Sequence, residues 1–260
     1  MAIQAERQLA IVDLIRTRKT VSTEELSKMF DISLNTVRRD LTVLEEQGVL
    51  KRTHSGAVLA EANQFVRPYG VRKSEYSEAK DLIGKAATAL VREGDTIIID
   101  AGTTTQQMVK YLLNFEQLTV LTNSLEIANE FLMNPKISVI LSGGILRQES
   151  RSMIGFPAEQ FFSQFNADKL FLSVGGISVE AGTITNPNIH ETAVKKKMIE
   201  ASREIIALAD SHKLGVISLC PICPIKSINV LITDEKADQK MVDGVEDMGV
   251  EVRIAKHAET

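Results

Sequence analysis

The chain is short of three things: cysteine, an excess of positive charge, and long apolar runs. Two cysteines in 260 residues cannot staple a disulfide scaffold, and so sparing a use of thiols suits a reducing compartment. No stretch approaches the roughly 18 uninterrupted apolar residues that a membrane-spanning helix needs. The opening Met-Ala-Ile-Gln-Ala-Glu-Arg lacks the basic start and apolar core of a secretory signal, so a cytoplasmic location is expected. Lysine and arginine number 30 against 34 aspartates and glutamates, a net charge of −4. What remains is an ordinary globular composition, 44% hydrophobic and 25% charged, in a length that allows one large domain or two smaller ones. No internal repeat or low-complexity segment interrupts it.

The most informative stretch runs from Ser33 to Leu50. On a helical wheel of about 100° per residue, Leu41 and Leu44 fall within roughly 40° of Val37 and form a narrow apolar stripe. Asn35, Arg38, Arg39 and Thr42 gather on the far side, Ser33 is placed to cap the first turn, and Ser33 and Thr36 at the start of the helix join these four as candidate DNA contacts. Such an outer face suits a DNA groove, because arginine can bond two acceptors of guanine at once and asparagine two atoms of adenine. A solvated surface helix is the competing account, and context decides against it. Upstream lies a helix with Leu9, Ile11, Val12 and Ile15 on one side. Ser22 and Glu25 are spaced as a capping box, and the short helix they open carries Leu26, Met29 and Phe30. Asp31-Ile32 turns into Ser33, which gives helix-turn-helix order. Two short apolar-flanked runs around Ser55-Gly56 predict a hairpin wing, with Lys51, Arg52 and His54 available to phosphates.

At these residues the chain resembles the DeoR family of bacterial sugar-operon regulators. The resemblance rests on Glu25-Leu26, Ser33, Thr36-Val37-Arg38-Arg39-Asp40-Leu41, Leu44-Glu45 and His54-Ser55-Gly56-Ala57. The family usually has two glycines in the wing where this chain has Ser55-Gly56; Gly56 keeps one freely folding position, so the wing is expected to survive, although serine enters positive φ reluctantly at its tip. Within residues 1–57, nine basic residues face eight acidic ones. Binding must therefore rest on local placement of Arg38, Arg39, Lys51 and Arg52, doubled by oligomerisation.

Residues 60–76 read as a linker, with Pro68 and Gly70 among polar residues, separating a winged helix-turn-helix domain over 1–59 from a second domain over 77–260. There the periodicity changes. Apolar runs at 96–100, 118–122, 137–141, 170–174, 205–209, 230–233 and 250–254 alternate with helical stretches, which predicts an α/β domain with a parallel sheet covered on both faces. Ligands in such folds bind beyond the carboxyl ends of the strands. Those ends read Asp100-Ala101-Gly102-Thr103-Thr104-Thr105, Thr122-Asn123-Ser124, Ser142-Gly143-Gly144 leading to Arg147, Ser173-Val174-Gly175-Gly176, and Asp210-Ser211-His212-Lys213. Threonine hydroxyls and free backbone N–H groups suit a phosphate, although N-capping by threonine is the competing account. Asp100 and Asn123 can bond sugar hydroxyls, the glycines admit a ligand to the backbone, and Arg147 or Lys213 can neutralise a phosphate. Glu191 and Lys195 are expected to form a surface i,i+4 pair, and Lys195-Lys196-Lys197 a solvated face.

This half is also similar to the DeoR-family sensor domain, which in turn resembles sugar-phosphate isomerases of the ribose-5-phosphate isomerase type. The resemblance implies a phosphorylated sugar or polyol as effector, double-stranded operator DNA as partner, a repressor of a catabolic operon, homo-oligomeric assembly and no cofactor. Two other readings stay open. A working isomerase fused to a DNA reader would need a base such as Asp100 or Asp210. A zinc site would draw on Cys220, Cys223 and His212, one ligand short of a tetrahedral set.

Overall fold

The computed structural model describes residues 4–18, 20–46, 50–53, 55–59 and 69–257. They divide into two units, Met1–Pro68 and Tyr69–Thr260. The first unit contains α1 (Gln4–Arg18), β1 (Thr20–Ser22), α2 (Thr23–Phe30), α3 (Leu34–Glu46), β2 (Leu50–Arg52) and β3 (Gly56–Leu59). Ser22 caps α2, its hydroxyl accepting from the Glu25 amide at 3.0 Å, while the Glu25 carboxylate turns to Arg18. Asp31 closes α2 in the left-handed region at φ 50°, and Ser33 caps α3 through the Thr36 amide at 3.2 Å. The stripe of Val37, Leu41 and Leu44 packs on Ile11, Val12 and Ile15 of α1 and on Val21, Leu26, Leu50 and Ala57.

The wing forms as expected, with β2 and β3 antiparallel, and it gains a third strand because β1 pairs with the other edge of β3. Gly56 explains how. A Cβ there would lie 1.9 Å from the carbonyl oxygen of Val21, so only glycine lets β1 close on the hairpin. Serine at the wing tip meets no backbone obstacle, since neither Ser55 nor Gly56 has positive φ. We expect Gly56→Ala to cost this unit about 1–3 kcal/mol of stability by overpacking. The low-temperature transition of a two-step thermal melt would report it, and an unshifted melt would contradict the packing described.

The second unit contains α4 (Tyr69–Ser74), α5 (Ser77–Thr88), β4 (Thr96–Ile99), α6 (Val109–Leu112), β5 (Leu118–Thr122), α7 (Leu125–Phe131), β6 (Ile137–Leu141), β7 (Ile145–Arg147), β8 (Ser152–Ile154), α8 (Phe156–Phe162), β9 (Ala167–Ser173), β10 (Gly176–Ser178), β11 (Thr183–Asn186), α9 (Ile189–Glu200), β12 (Ser202–Leu208), β13 (Cys220–Pro224), β14 (Val230–Asp234), α10 (Gln239–Glu246) and β15 (Glu251–Ala255). Seven strands form one sheet in the order β15-β14-β12-β9-β4-β5-β6, parallel throughout. Alternate residues serve its two faces. Ile98, Leu121 and Ala207 join a core with α8, α9 and Val245 of α10. Ile97, Ile99, Val120 and Ile206 join another with α5, α6 and α7. From β4 the chain moves outward through β5 and β6, then returns to the other side of β4 with β9 and continues to β12. The switch point therefore lies between β4 and β9, where such sheets open a crevice for ligands.

One expectation needs correction here, and one rival reading is tested. Part of the expected linker is ordered: residues 60–68, Pro68 included, lie outside the described residues, but 69–74 form α4, and Tyr69 is 4% exposed. The zinc reading also lacks support. Among the described residues no group of three histidine, cysteine, aspartate or glutamate side chains is placed to hold a metal. Cys220 and Cys223 sit in β13, paired antiparallel with β11. Burial pushes the Cys223 thiol up to about 11, away from the thiolate a metal requires.

Candidate DNA-reading helix and strand-end site

On α3 the two faces separate as the wheel requires. Val37, Leu41 and Leu44 are buried, whereas Asn35, Arg38 and Arg39 are exposed and Thr36 is half-buried. One polar residue crosses to the buried side. Asp40, 1% exposed, accepts from Arg7 Nε at 2.7 Å and from Gln8 Nε2 at 3.1 Å, which ties the reading helix to α1. Thr42 has a structural partner as well as an outward position. Its hydroxyl donates to the Arg38 carbonyl and accepts from Arg52 Nη1, both at 2.9 Å. The Arg52 amide donates to Glu45 Oε1 at 2.8 Å, so the wing is clamped to the helix at its root. Lys51 is exposed, and His54 lies outside the described residues.

In the second unit the polar strand ends converge on the switch point, though not every residue there is turned toward a ligand. Asp100, directly after β4, is 1% exposed. Its Oδ2 accepts from the Ser173 amide at 2.9 Å and is ion-paired with Lys195, whose ammonium also donates to the Ser173 carbonyl at 2.9 Å. Burial pushes the Asp100 carboxyl up, against the pull of Lys195 and the Ser173 amide. Its Oδ1 is buried without a hydrogen-bond partner, as is Ser142 Oγ at the end of β6. Thr103 and Thr104 are largely buried, and Thr104 makes no capping bond to the 3-10 turn Thr105–Met108 that follows. N-capping therefore does not account for it. Thr105 is spent internally on the Asp100 and Gly102 carbonyls at 2.7 and 3.0 Å.

Glu191 and Lys195 are not a surface pair. The buried face of α9 carries both onto the strand ends, with side chains 12% and 4% exposed, and each is ion-paired with a residue of another element, Arg147 and Asp100 respectively. Glu191 Oε1 accepts from Arg147 Nη1 at 3.1 Å and Oε2 from Asn186 Nδ2 at 3.2 Å. Burial would raise its carboxyl, but Lys195, hydrogen bonds from Ser150 and Asn186, and the charge of Arg147 together hold it below the usual range. Of the expected solvated face, only Lys196 is fully exposed.

Other expected ligand residues hold the loops in place. Thr122 Oγ1 donates to the Ile99 carbonyl at 2.6 Å and accepts from the Ser124 amide at 3.0 Å. Asn123 Oδ1 accepts from the Ala101 amide at 3.0 Å, and its Nδ2 donates to the Met153 carbonyl at 3.3 Å. Gly102, Gly175 and Gly176 admit protein rather than open space, since a Cβ at each would come within 2.6 Å of Ser173, Pro187 or Val216. Gly143 is exposed with room around it, so it stays open at the end of β6, whereas Gly144, at φ +131°, backs onto protein: a Cβ there would lie 2.6 Å from the Ile154 carbonyl oxygen. Lys213 is half-buried in the 3-10 turn Ser211–Lys213 after β12. His212 stacks on Tyr76 with ring centres 3.7 Å apart.

Lys80 was missed altogether. It is 4% exposed on α5, its ammonium donating to the carbonyls of Arg72 and Glu75. Burial lowers it to about 8, while Asp210 and Glu75 pull the other way. Its signal was in the sequence: with Ile83, Gly84 and Ala87 it completes an i, i+3, i+4, i+7 stripe that faces inward. A separate hollow of about 300 Å³ near Leu113, Phe115, Glu116 and Lys136 lies at the amino ends of β5 and β6, away from all these groups.

A winged helix-turn-helix with an arginine-bearing outer face, joined in one chain to a parallel α/β unit with polar strand ends, defines a DNA-binding regulator with a sensor domain. The chain belongs to the DeoR family. The DeoR-like helix-turn-helix domain matches residues 7–63 and the DeoR C terminal sensor domain residues 75–235. It is 37% identical to the HTH-type transcriptional regulator GolR of Listeria innocua, over 96% of this chain and 98% of that one. It is 36% identical to the HTH-type transcriptional repressor GlcR of Bacillus subtilis, over 98% of both. The glycerol-3-phosphate regulon repressor of Escherichia coli is 31% identical over 96% of this chain and 99% of its own length. Among solved structures, ribose 5-phosphate isomerase A of Methanocaldococcus jannaschii aligns with 53% of this chain and 54% of its own, at 16% identity and a TM-score of 0.40. The chain is a transcriptional regulator, and the fused-isomerase alternative is set aside.

Proposed function

We propose that this regulator represses genes of sugar or polyol catabolism in the cytoplasm and leaves its operator when a phosphorylated sugar or polyol binds at the β4/β9 switch point. The observation that carries the effector site is the set of four buried polar side-chain atoms without a hydrogen-bond partner among the described residues, Asp100 Oδ1, Ser142 Oγ, Asp210 Oδ1 and Thr233 Oγ1, all at or next to carboxyl ends of the strands, where Lys195, Arg147 and Thr104 also gather. Buried polar atoms without partners are costly, and a polyhydroxylated ligand would satisfy them. Asp100 then reads a sugar hydroxyl while Thr103, Thr104 and the open position at Gly143 admit the rest of the ligand. Lys80 and Lys213 supply positive charge at the neighbouring end of β12. Relatives named for glycerol 3-phosphate regulation support this class of effector.

Residues 1–59 serve as the reading module and the chain from Tyr69 onward as the sensor. Arg38, Arg39, Asn35 and Thr36 address the major groove, while Ser33, Lys51, Arg52 and His54 hold the backbone. With nine basic residues against eight acidic ones in residues 1–57, one module grips weakly, so a homo-oligomer engaging two half-sites is the working form. A thermal-shift panel of phosphorylated sugars and polyols, each beside its unphosphorylated parent, tests the sensor. The true effector at about a hundred times its dissociation constant adds about 2.7 kcal/mol of stability. A panel in which parent and phosphate act alike would sink the phosphate reading.

A further inference from the structure

We propose that α4 is a strap across the sensor site, latched by Lys80 and Tyr69 in the effector-free state, and that the effector's phosphate unlatches it by competing for Lys80. The proposal rests on the effector-site reading above and concerns how that site is coupled to DNA release.

Helix α4 is the first described element after residue 59, and residues 60–68 lead directly into it. It is held at both ends by side chains of the sensor unit. At its start, the Tyr69 hydroxyl donates to Gln106 Oε1 and Gln106 Nε2 donates to Glu130. Gln106 follows the Thr103–Thr105 turn immediately, so the anchor of the strap and the candidate ligand loop are one piece of chain. Arg151 and Arg72 lie over the Tyr69 ring at 5.0 and 5.8 Å, and Arg72 Nη2 donates to the Glu149 carbonyl at 3.2 Å. At the end of the strap, Lys80 collects the carbonyls of Arg72 and Glu75. Unfilled carbonyls at a helix end need such partners. Tyr76 then enters the left-handed region at φ 52° and stacks on His212.

The charges decide which state this is. Every cation of the cluster is engaged by the protein itself: Lys80 by two carbonyls, Arg72 by Glu149, Arg151 by Glu126 at 2.6 Å, and Arg147 by Glu191. An arriving phosphate gains a strong partner only by drawing one away. Lys80 is the natural one, because it is 4% exposed and its ammonium is held by the carbonyls of Arg72 and Glu75, and burial lowers it to about 8 against the pull of Asp210 and Glu75. Taking it releases the carbonyl end of α4. Docked strap and bound phosphate are therefore alternatives, which is the differential contact a two-state switch requires.

The test uses the full chain and Tyr69→Phe, which keeps the ring and removes only the hydroxyl. Hydrogen exchange is followed over residues 69–76, and affinity is measured for a duplex that the wild-type protein selects from a random pool. Without any effector, the variant is expected to exchange at least ten-fold faster in 69–76 while the sheet is unchanged, and to bind the duplex about five-fold more weakly. Unchanged exchange overturns the latch. Faster exchange with unchanged DNA affinity overturns the coupling. Failure of the sensor reading shows elsewhere, as a thermal-shift panel in which no phosphorylated sugar stabilises the wild-type protein, and it leaves both arms of the Tyr69→Phe comparison interpretable.

Discussion

Replacing Lys195 with methionine will lower the stability of the sensor unit by about 3–5 kcal/mol, the usual cost of removing one partner from a buried ion pair. The two side chains are 4% and 1% exposed, so water cannot take over from the lost ammonium. Asp100 then faces burial alone, and its carboxyl moves further above the usual range. A carboxyl whose folded pKa lies above its unfolded value of about 3.9 loses stability as pH rises between the two, because the folded state must surrender a proton it holds more tightly. The deficit of Lys195→Met should therefore be small in acid and grow above about pH 4. The double change Asp100→Asn with Lys195→Met removes both charges and should recover most of the loss. Chemical denaturation at several pH values checks all three statements. A pH-independent deficit, or one no larger than an exposed lysine gives, would mean that the pair is not buried together.

Arg39→Ala will abolish useful operator binding while leaving effector binding and the thermal melt unchanged. Arg39 is exposed on α3, so its loss opens no cavity. A bidentate arginine–guanine contact is worth about 1–3 kcal/mol of discrimination. Two modules binding together, as proposed above, would lose it twice, about 2–6 kcal/mol, which puts the expected loss at about thirty-fold or more. The nearly neutral charge of the module means that no reserve of phosphate contacts hides the effect. Electrophoretic mobility shifts with wild-type and variant protein measure it. Loss of DNA binding together with loss of effector binding would instead mark Arg39 as a structural residue.

Much of this protein was legible in its sequence, and the illegible parts have identifiable causes. Helix α3 stood out because three buried positions at helical spacing oppose an arginine pair, a pattern carried by local residues alone. The sheet was readable because strands buried on both faces become continuous apolar runs, and the runs at 118–122 and 137–141 coincide with β5 and β6. The three-residue strands β1 and β10 carry too few residues to show a period. β1 exists because Gly56, distant in the chain but paired with Ser22, leaves room for it.

Polar residues were harder than apolar ones. Lys195 and Glu191 have the spacing of a surface pair, and nothing local says that Asp100, 95 positions earlier in the chain, waits beneath. The buried neighbours Val194 and Met198 were the available hint. Thr122 and Asn123 stand at the expected strand end, but their hydrogen bonds go to backbone atoms of adjacent loops, and such satisfaction depends on how neighbouring strand ends line up.

The central claim is that strand-end chemistry in the sensor governs the placement of the arginines on α3. It is tested most directly by binding the full chain to its selected duplex and titrating the phosphorylated compound that stabilises it in the thermal-shift panel. Release of the DNA at concentrations that saturate the sensor, with no release by the unphosphorylated parent, is the predicted result. A protein that binds the phosphorylated compound and keeps its grip on the DNA would contradict the account.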